Sequence, residues 1–243
     1  MKIKIINPNT TWSMTREIEK AGKKYERSDT ELIVVSPERG PVSIESMYDE
    51  ALSQLGVLEE VKKGIAEGCD GFIIACFGDP ALYAARELAE VPVLGIAEAA
   101  MLMACMLGHK FSILTVLQRC IPTMEELVRR YGLERRCASV RASNMSVLEL
   151  EEDSRRTEEV LTELGRKAKE EDGAEVLLLG CAGMAGVDRK LEFQLGIPVI
   201  DGTVAAVKFL EALYDYGKKT SKFRTFQYPE PKLMKGYPDI FQP

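Results

Sequence analysis

Two cysteines carry the chemistry available to this chain. Cys76 lies in Ala75-Cys76-Phe77-Gly78-Asp79-Pro80, and Cys181 lies in Gly180-Cys181-Ala182-Gly183-Met184-Ala185. Each follows an apolar run of strand character, Gly71-Phe72-Ile73-Ile74 in the first case and Val176-Leu177-Leu178-Leu179 in the second. Each precedes a helix-length segment and then a new strand start, Val91-Pro92-Val93 or Ile197-Pro198-Val199. Pro92 follows Cys76 by 16 positions, and Pro198 follows Cys181 by 17. Racemising a carbon centre needs a base on one face and an acid on the other. A thiol, with an ordinary pKa near ~8.5, can serve as either if one partner is held as thiolate. Taken singly, a cysteine at a strand end is more often a small buried apolar residue. Two at equivalent points of two half-repeats point instead to thiols facing each other across a cleft.

Other chemistries lack their residues. No Walker motif is present, no G-x-G-x-x-G follows a strand, and no lysine sits in a Schiff-base context. There is no C-x-x-C pair and a single histidine, His109, so a zinc site of usual spacing is not expected. No cofactor and no metal are expected. The carbon acid must then be fairly acidic, with its enolate held by backbone N–H groups and hydroxyls. Asn9, Ser43, Thr115, Gly78 and Gly183 are candidates, because all fall at strand ends or in loops on one side of the sheet. Of the remaining cysteines, Cys105 reads as core, and Cys69, Cys120 and Cys137 as incidental.

Strands are expected near residues 2–6, 31–35, 71–75, 93–96, 111–116, 137–141, 176–179 and 198–201. Helices are expected near 13–25, 48–67, 99–107, 121–131, 148–171 and 202–216. This alternation means α/β with parallel sheets. Asp79 suits a helix N-cap and Pro80 the first helical position, which would put Cys76 beside a helix N-terminus, where a thiolate is favoured and alkylated fast. Thr10 to Cys76 and Thr115 to Cys181 both span 66 positions, a duplication signal. Two similar lobes place both strand-end loops at a shared crevice. The tail from Lys218 to Pro243 is expected to pack as an irregular extension.

The 243 residues are 46% hydrophobic, enough for one large domain or two lobes, and no apolar run is long enough to cross a membrane. The N-terminus runs straight into a strand without a signal-peptide pattern, so the cytoplasm is expected. A net charge of −6 argues against nucleic acid and anionic membranes as partners. A small-molecule substrate and a homo-oligomer are expected.

At these residues the sequence resembles the aspartate/glutamate racemase superfamily, and within it the hydantoin racemase branch that includes allantoin racemases. The pieces are Ile6-Asn7-Pro8-Asn9-Thr10 with Met14-Thr15, Gly40-Pro41-Val42-Ser43-Ile44-Glu45, the Cys76 motif with Ala85-Arg86-Glu87, Gly95-Ile96-Ala97-Glu98-Ala99-Ala100, and the Cys181 motif. The resemblance implies cofactor-independent racemisation at C5 of 5-substituted hydantoins. Cys76 would handle the proton of one enantiomer and Cys181 that of the other. The backbone around Phe77-Gly78 and Ala182-Gly183, with Asn9, Ser43 and Thr115, would hold the ring. It also implies two pseudo-symmetric flavodoxin-like lobes with parallel sheets and an active site in the cleft between them. Lobe one would be 1–97 plus 208–243, and lobe two 98–207. Ala81 departs from the family's glycine, a change expected to matter little. Phe77 and Ala182 replace the polar neighbours of the amino-acid racemases. The alternatives are an aspartate/glutamate-type racemase, an arylmalonate-type decarboxylase, and a non-enzymatic small-molecule-binding protein.

Overall fold

A computed structural model describes residues 1–241, so the last two residues of the tail lie outside the described residues. The first half holds β1 (Lys2–Ile6), α1 (Trp12–Lys23), β2 (Glu31–Val35), α2 (Met47–Ala66), β3 (Gly71–Ile74), α3 (Leu82–Leu88) and β4 (Val93–Gly95). Next come α4 (Ile96–Leu107), β5 (Phe111–Thr115), α5 (Ile121–Arg130), β6 (Cys137–Ala142), α6 (Glu149–Glu152), α7 (Ser154–Glu170), β7 (Val176–Leu179), α8 (Asp188–Leu195), β8 (Val199–Ile200) and α9 (Gly202–Asp215). The continuous helix expected over 148–171 is broken at Asp153, which leaves the helical conformation and caps α7 with its carboxylate by accepting from Arg156 N.

The strands form two parallel four-stranded sheets of the same order, β2-β1-β3-β4 and β6-β5-β7-β8. The central strands β3 (GFII) and β7 (VLLL) are apolar throughout because both faces of each sheet are covered. Alternation along each strand sorts its side chains between two cores. Ile3, Ile5 and Ile73 face a core shared with α1, α4, α9 and the second sheet. Ile6, Phe72 and Ile74 face α2 and α3. In the second sheet Phe111, Ile113 and Leu178 join the shared core, while Leu114, Leu177 and Leu179 face α7 and α8.

The duplication is real, but the structure pairs different residues from those the equal spacing suggested. Ala75 N donates to Ile6 O and Gly180 N to Leu114 O, both at 2.8 Å. Cys76 and Cys181 are therefore equivalent, while the counterpart of Thr115 is Asn7 rather than Thr10. The Val-Pro-Val starts also match, since Phe72 N donates to Pro92 O and Leu177 N to Pro198 O. Helix α9 packs on α1, α4, β3 and β4. The tail is irregular, anchored where Thr220 N donates to Glu90 O and Lys222 Nζ to Arg86 O. Among the described residues no helix is long and apolar enough to cross a membrane.

Candidate active site

Parallel sheets send all their carboxyl ends to one side, and there the two halves enclose a cavity of about 60 Å³. Its wall carries Cys76 from the end of β3 and Cys181 from the end of β7. On the same measure one water needs about 10–15 Å³, so the space takes several water-sized groups at once. Asn9, Phe77, Gly78, Thr115 and Ala182 also line it. Ser43 and Gly183 do not. Ser43 stays half-buried in the β2–α2 loop, and Gly183 instead donates its N–H to Cys181 Sγ at 3.3 Å.

The polar groups on the wall differ in what they have left to offer. Asn9 is buried, and its carbonyl accepts from Asn7 Nδ2 and Thr11 N. Its amide N–H₂ meets only the soft Met14 sulfur at 3.5 Å, which leaves donor capacity toward the cavity. Thr115 is 1% exposed, and its Oγ1 has no hydrogen-bond partner. A buried hydroxyl without a partner is costly, so a ligand that bonds it recovers that cost.

Residue types alone did not show several wall residues. Glu45 and Ser46 arrive from just before α2 and Glu50 from its first turn, Arg119 and Cys120 from the turn after β5, and Thr123 from the first turn of α5. Cys120, read as incidental, is a third thiol on the wall, and its Sγ donates to Glu45 O at 3.5 Å. Glu45 also accepts from Val147 N at 2.7 Å, and Ser46 caps α2 by accepting from Asp49 N. Burial pushes the Glu50 carboxyl up, opposed by Arg130 and reinforced by Glu126. Glu50 lies close to Gly78, where a Cβ would sit 3.1 Å from Glu50 Oε2. Cys69 is core, whereas Cys105 and Cys137 are half-buried against it. Among the described residues no cluster of three or more His, Cys, Asp or Glu is placed to hold a metal ion.

The loop after Cys76 corrects two expectations. Asp79 does not cap its own helix. Asp79 and Ala81 take left-handed φ of 47° and 60°, and α3 begins only at Leu82. The Asp79 carboxyl reaches instead to α4, accepting from Ala97 N at 3.1 Å and Glu98 N at 2.9 Å, and from Tyr131 Oη at 2.6 Å. The turn that sends it there is closed by Asp79 N donating to Cys76 O at 3.0 Å. Cys76 thus lacks a helix N-terminus of its own. Burial raises its thiol pKa strongly. The Gly78 N–H opposes this, while Cys181, Glu50 and Asp79 add to it. Rapid alkylation of Cys76 at neutral pH is therefore not expected.

The family profile described as Asp/Glu/Hydantoin racemase matches residues 3–210. The fold, two parallel four-stranded sheets covered by helices, is that of a solved allantoin racemase, and with the family profile this makes the protein an isomerase of the racemase class. The chain belongs to the Asp/Glu/hydantoin racemase family. It is 55% identical over 232 residues to a hydantoin racemase of Pseudomonas sp. (strain NS671), covering 96% of this chain and 93% of that one. It is 46% identical to a hydantoin racemase of Rhizobium meliloti, covering 98% of both. The solved structure of an allantoin racemase from Klebsiella pneumoniae superposes with a TM-score of 0.95 at 44% identity, covering 97% of this chain and 96% of that one. The resemblance read from the motifs is thus the family found, and the binding-protein alternative falls.

Proposed function

We propose that this racemase acts at C5 of 5-substituted hydantoins, allantoin among them, by a two-thiol mechanism without a cofactor. The observation that carries it is the placement of Cys76 and Cys181, equivalent in register, on the wall of one small cavity. Cys76 rests as the thiol, since burial holds its pKa high. Cys181, as thiolate, takes the C5 proton. The electron pair moves into the adjacent carbonyl as an enolate, and Cys76 returns a proton to the opposite face. Afterwards Cys181 is the thiol and Cys76 the thiolate, ready for the other enantiomer. Thr115 Oγ1 and the Asn9 amide are the donors aimed at ring oxygens, with the backbone at Phe77-Gly78 and Ala182. Two acidic side chains, Glu45 and Glu50, stand on the wall with one cation, Arg119, and apolar Phe77 and Ala182 follow the thiols, a lining that supports a neutral cyclic ureide over a dicarboxylate amino acid.

The same reading takes 1–97 with 208–243 as one lobe and 98–207 as the other, with α9 packed on α1, β3 and β4 of the first and on α4 of the second. It places the enzyme in the cytoplasm, supported by free thiols at all six cysteines. It expects a homo-oligomer, with Leu102, Met106 and Leu107 of α4 exposed.

The test is proton exchange. One enantiomer of a 5-alkyl hydantoin, and separately of allantoin, is incubated with enzyme in D2O while optical rotation and the C5–H NMR signal are followed. Both signals should decay, and Cys76→Ser and Cys181→Ser should each abolish loss of rotation. Residual exchange should survive on opposite enantiomers in the two variants. Racemisation of aspartate or glutamate, with both hydantoins untouched, would reject the substrate assignment and spare the thiols.

A further inference from the structure

Each cysteine loop is tied to the helix that follows the next strand by a single buried carboxylate. In the first half Asp79 lies three residues past Cys76 and accepts from Ala97 N and Glu98 N at the start of α4. In the second half Asp201 stands at the start of α9 and accepts from Thr203 N at 2.8 Å and Val204 N at 3.4 Å. Its other oxygen accepts at 3.3 Å from Gly186 N, in the loop after Cys181. Both carboxylates are buried, at 2% and 7% exposure.

The two ties are the same link built from opposite ends. Ile73 pairs with Leu94 in the first sheet, and its equivalent Leu178 pairs with Ile200 in the second, which makes the next residues, Gly95 and Asp201, register equivalents. Both occupy the N-cap position of the following helix. Gly95 has no side chain to offer, and a Cβ there would lie 2.1 Å from the Asp79 carboxyl. So the first half draws its cap from the cysteine loop, and the second half draws it from the helix. In each half one side chain satisfies helix N–H groups that would otherwise lack partners and fixes the loop that carries the thiol.

We propose that Asp79 and Asp201 are positioning residues, Asp79 for Cys76 and Asp201 for Cys181. Holding a reacting group in place is worth orders of magnitude in rate, and a loop that drifts loses it. The Asp79 tie reaches further, because Tyr131 from the end of α5 donates to the same carboxyl. Arg86 of α3 also pairs with Glu98, so three elements converge on this loop. The inference rests on the proposed mechanism only in taking the two thiols as the reacting pair.

The experiment is site-resolved alkylation of the full-length enzyme with iodoacetamide, read by mass spectrometry at about pH 9, where an exposed thiol ionises and one held up by burial reacts only as its loop opens. In Asp79→Asn, Cys76 should alkylate about tenfold faster, the scale of one lost charge-assisted hydrogen bond, while Cys181 stays unchanged. Asp201→Asn should do the reverse. Tyr131→Phe removes one bond to the same carboxyl and keeps its charge, so a smaller acceleration of Cys76 there reports the tie itself, whereas acceleration in Asp79→Asn alone would report only the lost charge beside the thiol and overturn the proposal for Asp79. Each change should lower kcat more than KM. Equal acceleration of both thiols in both variants would reduce the carboxylates to general scaffolding and overturn the proposal, as would no change in either. Absence of racemisation by the wild type would defeat the mechanism, but it would leave this thiol map able to decide the positioning.

Discussion

At the scale of single residues, Thr115 offers the sharpest test of the cavity. Its hydroxyl is buried with no partner, and valine matches its shape. Thr115→Val should leave stability unchanged or raise it by up to about 1–2 kcal/mol, because an unsatisfied buried hydroxyl is removed. If that hydroxyl bonds the bound ring, kcat/KM should fall about 3- to 10-fold, the scale of one hydrogen bond. Denaturant melts beside steady-state kinetics check both halves. A destabilised variant would show that the hydroxyl has a partner in the fold, and unchanged kinetics would remove Thr115 from the site. Thr115, Asn9 and the two cysteines were legible in the sequence because strand ends and motif loops announce where they lie. Glu50, Arg119 and Cys120 were not. They reach the wall from the first turn of α2 and from the turn after β5, where facing depends on how an element docks rather than on residue type.

At the scale of elements, the loop from Gly78 to Ala81 shows where local reading stops. An Asp-Pro pair after a strand reads as a helix start, since cap preferences concern neighbours in sequence. The true partners of Asp79 lie 18 and 19 residues on, at Ala97 and Glu98, and only the docking of α4 brings them near. The same loop revises the reading of Ala81, a departure from the family's glycine that was expected to matter little. Its φ of 60° is a conformation in which Cβ crowds the backbone at a cost of about 1–2 kcal/mol, which glycine avoids. Ala81→Gly should therefore stabilise the protein by about 1 kcal/mol, less the added freedom of glycine in the unfolded chain. Urea titration checks it, and a lower midpoint would mean that the strain at Ala81 is not there to relieve.

At the scale of the whole molecule, the two-fold plan was legible because both halves repeat an apolar strand, a cysteine and a Val-Pro-Val or Ile-Pro-Val start. The equal 66-residue spacing gave the right conclusion through the wrong partner, because equivalent ladder positions lie 68 residues apart in the first half, Ile6 to Ile74, and 65 in the second, Leu114 to Leu179. Contacts across the cleft were not legible, since they join residues far apart in sequence. The Glu45 carboxylate accepts from Val147 N across 102 positions, and Glu45 O receives the Cys120 thiol. These bonds close the β2–α2 loop over the cavity and tie the first half to the second. Removing water from such a site strengthens its electrostatics, so the closure should matter for rate. Glu45→Ala should expose the Val147 amide to hydrogen exchange and lower kcat/KM about 3- to 10-fold, the scale of one hydrogen bond. Glu45→Gln keeps an acceptor oxygen and should retain most of both. Loss of Val147 protection with full activity would show that the loop's attachment serves the fold and not the reaction. Retained protection in Glu45→Ala would place the amide's partner elsewhere.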